Sequence, residues 1–178
     1  ATDGHRLVQW DMEELKDLLI DDAVMIPKRG MIELKRILNE ARVNLVGFEV
    51  KDKNAYFRMD NVGMIIRLID GSYPDYQQVI PKRSGIKIYV NRWDLITGLK
   101  RVSQISSDLE EGTRFHFRPG ELELTMGNSN MGIARETVKI AYDGFPITFA
   151  FNGKYCQDIL GAFEDEEIEI ELLDEDNP

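Results

Sequence analysis

Two stretches, VMIPKRGMIELKRIL (24–38) and IYVNRWDLITGLKRV (88–102), open alike and decide how the chain is read. Each begins with a few apolar residues, meets a residue that stops a strand or caps a helix, and continues with apolar residues at three- and four-residue steps. In the first, Val24-Met25-Ile26 predicts a short strand ended by Pro27, and a helix is expected from about Gly30 to Ala41. Met31, Leu34, Ile37, Leu38 and Ala41 form its apolar stripe, with Arg29 and Arg36 on the other side. In the second, Ile86 to Val90 alternates as a strand, and Asn91 caps a helix with the stripe Leu95, Leu99 and Val102. Lys100 and Arg101 lie off that stripe.

An antiparallel meander is expected after each opening. After the first, Leu45 to Val50 puts Val46, Phe48 and Val50 on one face. Ala55 to Met59 returns, and Met64 to Ile69 forms the next strand, with turns at Lys51–Asn54 and Asp60-Asn61. After the second, Thr113 to Phe117 and Leu122 to Met126 form a hairpin around Arg118-Pro119-Gly120. Gly132 to Tyr142 and Pro146 to Phe151 follow as strands, and Asn152 caps a helix to about Phe163. Glu167 to Leu172 alternates, with Ile168, Ile170 and Leu172 inward and Glu167, Glu169 and Glu171 toward water. Ahead of both openings, Asp11 to Ile20 reads as either a helix or a loop with one turn. The chain is thus an α+β protein of two modules, 1–84 and 85–178, each written as strand, helix with a basic outer face, and meander.

Composition narrows the function classes. Hydrophobic residues at 43% and charged residues at 30% suit an ordinary soluble domain pair. Apolar runs such as Met64-Ile65-Ile66 are too short to cross a bilayer, and no secretory leader pattern opens the chain. The lone Cys156 excludes an internal disulfide framework and fits a reducing cytoplasm. A net charge of -10 argues against a DNA binder that is basic over its whole surface. The charge is uneven, however: Lys28 to Arg42 carries a local +3, Arg92 to Arg101 a local +2, and Glu164 to Asp176 nine acidic residues with no basic one. These stretches are either solvated faces or surfaces for partners. The start at Ala1-Thr2-Asp3 and the end at Asn177-Pro178, just after a strand, suggest a piece of a longer protein.

Catalytic patterns are scarce. There is no glycine-rich phosphate loop, HExxH, GxSxG or paired-cysteine motif, and no cofactor is implied. Asp3 and His5 share a polar turn and could pair in a small hydrolase, but no nucleophile or third group accompanies them. His116 lies in an alternating strand, where packing or surface exposure is the plainer role, and Cys156 reads as a structural thiol. The C-terminal carboxylates alternate along a strand, which makes poor metal-cage geometry. More telling is the connection DGSYPDYQQVIP (70–81), whose tyrosines, prolines and aliphatics are too apolar for a plain spacer. Such residues at a junction of modules pack together or line a binding groove.

The segments ATDGHRL (1–7), IPKRGMIEL (26–34), RLIDGSYPDY (67–76) with VIP (79–81), and FNGKY (151–155) occur together and in order. In this the chain resembles the bacterial DNA sliding clamp, the beta subunit of DNA polymerase III, from the second half of domain 2 through most of domain 3. The resemblance implies a ring of two three-domain subunits, with antiparallel sheets outside and helices on the inner face. It places Arg29, Lys35, Arg36, Lys100 and Arg101 near the phosphates of duplex DNA, held without sequence specificity. It implies a non-catalytic processivity factor that docks the polymerase catalytic subunit, the clamp loader and repair proteins through short peptides.

The groove for those peptides is expected between domains 2 and 3. The resemblance assigns to it Thr2, Gly4, His5, Arg6 and Leu7, then Pro74, Gln78 and Val79, with Asn152 and Tyr155 from FNGKY, and Asp176 and Pro178 closing the far side. Leu7, Pro74 and Val79 take apolar anchors, while His5, Arg6 and Asn152 hold the peptide's polar groups. Two departures are visible: Gln78 stands where some clamps carry arginine, and the family's Met-Pro-Met-Arg-Leu-like tail is absent. The first domain is absent as well, so the chain alone is not expected to close the homodimeric ring. A third class, an acidic protein-interaction module unrelated to DNA, predicts no basic face on the two repeat helices.

Overall fold

A computed structural model describes residues 1–12, 23–41, 45–81, 85–105, 112–128 and 132–173. The chain divides into two compact units, Ala1–Val79 and Ile80–Pro178.

The first unit places one helix and one small sheet on a common apolar core. Helix α1 spans Lys28–Ala41 and is followed by strands β1 (Gly47–Lys51), β2 (Asn54–Met59) and β3 (Val62–Arg67), paired antiparallel in the order β1-β2-β3. The helix begins right after Pro27, whose carbonyl accepts the Met31 amide, so proline ends the preceding extended run and starts the first turn. Leu34 is buried with Ala55, Phe57, Met59 and Ile66, and Ile37, Leu38 and Phe48 pack around them. Gly30 is required here, because a β-carbon would come within 2.7 Å of the Ile66 side chain on β3. The register Phe48↔Phe57 brings the two rings to a centroid distance of 5.0 Å.

Several expectations are corrected in this unit. Val24–Ile26 is not a strand: Met25 accepts one bond, from the Ile69 amide at 2.9 Å, and no ladder continues from it. Met31, expected in the stripe, is 43% exposed, because the buried face of α1 runs through Leu34, Ile37 and Leu38. β1 starts at Gly47, leaving Val46 exposed, and β3 runs from Val62 to Arg67 because its register is fixed by β2, with Met59 opposite Val62. Asp11 to Ile20 falls almost wholly outside the described residues.

The second unit is built on a six-stranded antiparallel sheet. Its elements are β4 (Ile86–Asn91), α2 (Arg92–Val102), β5 (Thr113–Arg118), β6 (Glu121–Asn128), β7 (Gly132–Ala141), β8 (Ile147–Phe151), α3 (Gly153–Leu160) and β9 (Glu167–Leu172), with strand order β8-β5-β6-β7-β4-β9. The Asn91 side chain accepts from the amides of Trp93 and Asp94 at 3.0 and 3.1 Å, satisfying two of the donors a helix start leaves open. Leu95, Ile96, Leu99 and Val102 of α2 are buried with Leu122, Leu124 and Val138. Gly98 lets the helix approach, since a β-carbon there would stand 3.0 Å from Leu124 and 3.2 Å from Val138. Alternation in β9 holds: Ile168 and Leu172 are buried, Ile170 is half-buried, and the glutamates between them face out. Helix α3 stops at Leu160 rather than Phe163, where Gly161 and Ala162 close a turn and Phe163 is left exposed.

Arg92 departs from the sequence expectation as well. It is buried, not part of a basic surface, and donates to the carbonyls of Asp165 (2.7 Å), Leu160 (3.3 Å) and Glu164 (3.5 Å). It thereby ties the start of α2 to the turn that feeds β9.

Truncating the most enclosed α2 residue tests this packing. Leu99→Ala is expected to lower the stability of the second unit by about 2–5 kcal/mol. Urea unfolding read at Trp93, in a Trp10→Phe background, measures it.

Candidate functional site

All five cations assigned to a phosphate-facing role are exposed: Arg29, Lys35 and Arg36 on α1, and Lys100 and Arg101 on α2. Their exposure follows from the stripes beneath them. Once Leu34 and Leu38 are turned to the first core, Lys35 and Arg36 must face water, and burial of Leu99 and Val102 does the same for Lys100 and Arg101. Lys100 and Arg101 also occupy the last turn of α2, where the helix dipole favours positive charge.

Two of the five are already held by carboxylates. Arg36 donates from Nη1 to Glu40 at 2.6 Å and from Nε to Glu33 at 3.1 Å, the i+4 and i−3 neighbours on the same helix. Donating hydrogen bonds to Glu33 and Glu40 pushes the Arg36 guanidinium further up, and accepting from Arg36 draws the Glu33 carboxyl down. Arg101 pairs with Glu136 of β7. The α1 pairs are legible from spacing; Arg101 and Glu136 are 35 residues apart and become neighbours only when α2 packs against β7.

The N-terminal segment is a tight turn. Thr2 and Leu7 form an isolated antiparallel bridge, and the Val8 amide donates to the Ala1 carbonyl at 2.8 Å. Thr2 Oγ1 donates to the Arg6 carbonyl (2.8 Å) and accepts from the Gly4 amide (3.2 Å), with Gly4 at φ +88°. Asp3 Oδ1 accepts from the amides of His5 and Arg6, both at 3.1 Å, and Oδ2 from Arg6 Nε at 3.1 Å. The His5 amide, aided by Arg6, holds the Asp3 carboxyl below its ordinary value of 3.8. Asp3 is thus the organiser of an Asx-type turn, and the proposed Asp3–His5 hydrolase pair is not supported. Among the described residues no group of three or more His, Cys, Asp or Glu is placed to hold a metal ion.

The connecting segment presents apolar surface. Tyr73 and Tyr76 meet edge-on at 6.0 Å, and Tyr76–Gln78 forms a single 3-10 turn. Gln78 Nε2 donates back to Asp75 at 2.9 Å, while Pro74 is exposed and Val79 is 69% exposed. In the second unit, Asn152 Oδ1 caps α3 through the amides of Lys154 (3.0 Å) and Tyr155 (3.1 Å). Tyr155 is half-buried. Asp176 and Pro178 lie outside the described residues.

Other polar clusters are structural. His116 is hydrogen-bonded to Thr148 (2.9 Å) and Thr125 (3.2 Å) across the sheet. Glu169 accepts from Lys87 (2.9 Å) and Tyr89 (2.5 Å), which secures β9 to β4. Burial pushes the Cys156 thiol up to about 11.

Comparisons with known proteins agree with this arrangement of parts. The family described as the DNA polymerase III beta subunit matches in two domains, the central domain over residues 1–75 and the C-terminal domain over residues 77–178. A beta sliding clamp of Caulobacter vibrioides is 31% identical over all of this chain and 48% of its own length, and one of Chlamydia pneumoniae is likewise 31% identical over 100% of this chain. The crystal structure of a Bartonella birtlesii sliding clamp aligns at a TM-score of 0.84, 30% identity, 98% of this chain and 50% of that one. Another from that species, bound to griselimycin, aligns at 0.81 with 32% identity over 86% of this chain and 41% of that one. The chain belongs to the DNA polymerase III beta subunit family, the bacterial sliding clamps, and has the α+β clamp fold. It spans about half (48%) of the length of the curated relatives it matches.

Two measurements test the local chemistry. The contribution of Asp3 to the turn is complete above its ordinary pKa of 3.8 and is lost as pH falls through its lower folded value, so the His5 and Arg6 amide resonances should move together in an acid titration with a midpoint under 3.8. At pH 8 the Cys156 thiol should react with a disulfide reagent more slowly, by roughly tenfold or more, in the native chain than in urea, the smaller thiolate fraction being partly offset by a more nucleophilic thiolate.

Proposed function

We propose that this chain is the DNA-tracking and partner-docking portion of a processivity clamp: within a closed ring it encircles duplex DNA without reading sequence and tethers the replicative polymerase. The exposed cations on α1 and α2 of an otherwise acidic chain carry this reading, together with membership of the clamp family. Phosphate contacts of that kind are sequence-independent and salt-sensitive. A closed ring keeps DNA by topology, so each contact can be weak, and weak contacts permit sliding. The same cations count against an acidic interaction module unrelated to DNA. In this reading the chain is a non-catalytic subunit; polymerisation belongs to the enzyme it tethers, and its place of work is the cytoplasm.

Partner docking is the second role. Leu7, Pro74 and Val79 of the first unit offer apolar surface for a peptide's hydrophobic anchors, and Thr2, Gly4, His5, Arg6 and Gln78 supply polar groups for its backbone and glutamine. The clamp resemblance adds Asn152, Tyr155, Asp176 and Pro178 to the proposed peptide-contacting residues. The partners are short glutamine-and-hydrophobic segments of the polymerase catalytic subunit, the clamp loader and repair proteins. A glutamine-hydrophobic peptide should shift the amides of Leu7, Val79 and Tyr155, and Leu7→Ala with Val79→Ala should weaken it at least tenfold (roughly 1.4 kcal/mol or more). Shifts confined to other surfaces, or no binding at high micromolar peptide, refute the docking assignment.

A further inference from the structure

Arg36 and Arg101 sit on the surfaces assigned to DNA, yet both are engaged before any DNA arrives. Two carboxylates of α1 share the Arg36 guanidinium: Glu40 takes Nη1 at 2.6 Å, and Glu33 takes both Nε at 3.1 Å and Nη2. In the second unit the partner of Arg101 is Glu136, which comes from a strand, not from the helix. The same compensation therefore arises twice, by different geometric means, in separately packed units.

We infer that Glu33, Glu40 and Glu136 limit affinity for duplex DNA by competing with phosphate for the Arg36 and Arg101 guanidinium groups. This rests on the reading of α1 and α2 as phosphate-facing. A guanidinium presents the same planar fork to a carboxylate and to a phosphate, so one occupant excludes the other. On α1 the exposed cations Lys28, Arg29, Lys35 and Arg36 are offset by Glu33 and Glu40, leaving +2 in place of +4. An arginine that can return to its own carboxylate loses little on leaving a phosphate, which keeps each one-phosphate step of sliding shallow. Lysines 35 and 100, exposed on the same helices, give the diffuse attraction that keeps the surface near DNA.

The test is anisotropy of a labelled duplex against the 178-residue chain over a range of salt concentrations. Glu33→Gln/Glu40→Gln and Glu136→Gln should each tighten binding roughly three- to tenfold at about 50 mM salt and steepen the salt slope by up to ~0.9 per freed arginine. Glu49→Gln, one charge like Glu136→Gln, and Glu49→Gln/Glu167→Gln, two charges like the α1 pair, lie on exposed strand faces and should have smaller effects, and the gains should vanish when Arg36→Ala or Arg101→Ala is added. Equal gains from Glu49→Gln, or gains that survive loss of the arginine, overturn the inference and leave bulk charge as the cause. Salt-sensitive binding that Lys35→Ala and Lys100→Ala weaken, but that the glutamate variants do not change, also overturns it while sparing the DNA-facing reading. Absence of salt-sensitive binding in every variant overturns both.

Discussion

Leu95, Leu99 and Val102 of α2 are buried with Leu124 of β6 and Val138 of β7, and Gly98 lets them meet closely, since a β-carbon there would crowd Leu124 and Val138. Enclosing an aliphatic side chain of this size contributes about 1.5–3 kcal/mol, so rotating α2 to turn its other face inward would forfeit several such terms and bury Lys100 and Arg101. The apolar stripe thus acts as the constraint on the charged one. Leu34 does the same for Lys35 and Arg36 in the first unit, packed over Phe57, Met59 and Ile66. Presentation of positive charge by an acidic protein is a by-product of which residues must be dry.

Charge that the packing exposes is then moderated. Glu33 and Glu40 hold Arg36, Glu136 holds Arg101, and Asp3 holds Arg6 in the N-terminal turn. Exposed pairs of this kind add little to stability. Their consequence lies in how freely each cation meets an outside anion. Arg92 shows the opposite fate: it is buried, its guanidinium donates to three backbone carbonyls, and it works as a cross-brace between α2 and the approach to β9. Two arginines nine residues apart on one helix thus part ways: Arg92 is buried and braces the fold, while Arg101 is exposed.

The local elements of the second unit were legible because several signals agreed at each. Asn91 and Asn152 combine a capping side chain with an apolar stripe starting at once, and Pro119-Gly120 offers a two-residue turn with Gly120 at φ +78° between alternating strands. The first unit was less legible at its edges. Val24-Met25-Ile26 has strand-forming residues, yet a strand needs a repeated partner, and Ile69 supplies a single bond. Met31 has the right spacing for the stripe but lies at its margin, where the sheet no longer covers it.

Sequence by itself determined the periodicities, the caps, the cation positions on the two helices and the family landmarks, because each is a property of neighbouring residues or of their order. Tertiary structure alone decided that Arg92 is buried and that Glu136 reaches Arg101. It also decided that β9 pairs with β4 at the edge of the sheet. Those outcomes depend on which side chains are excluded from water and which distant segments are brought within hydrogen-bond reach, and neither is encoded at any single stretch of the chain.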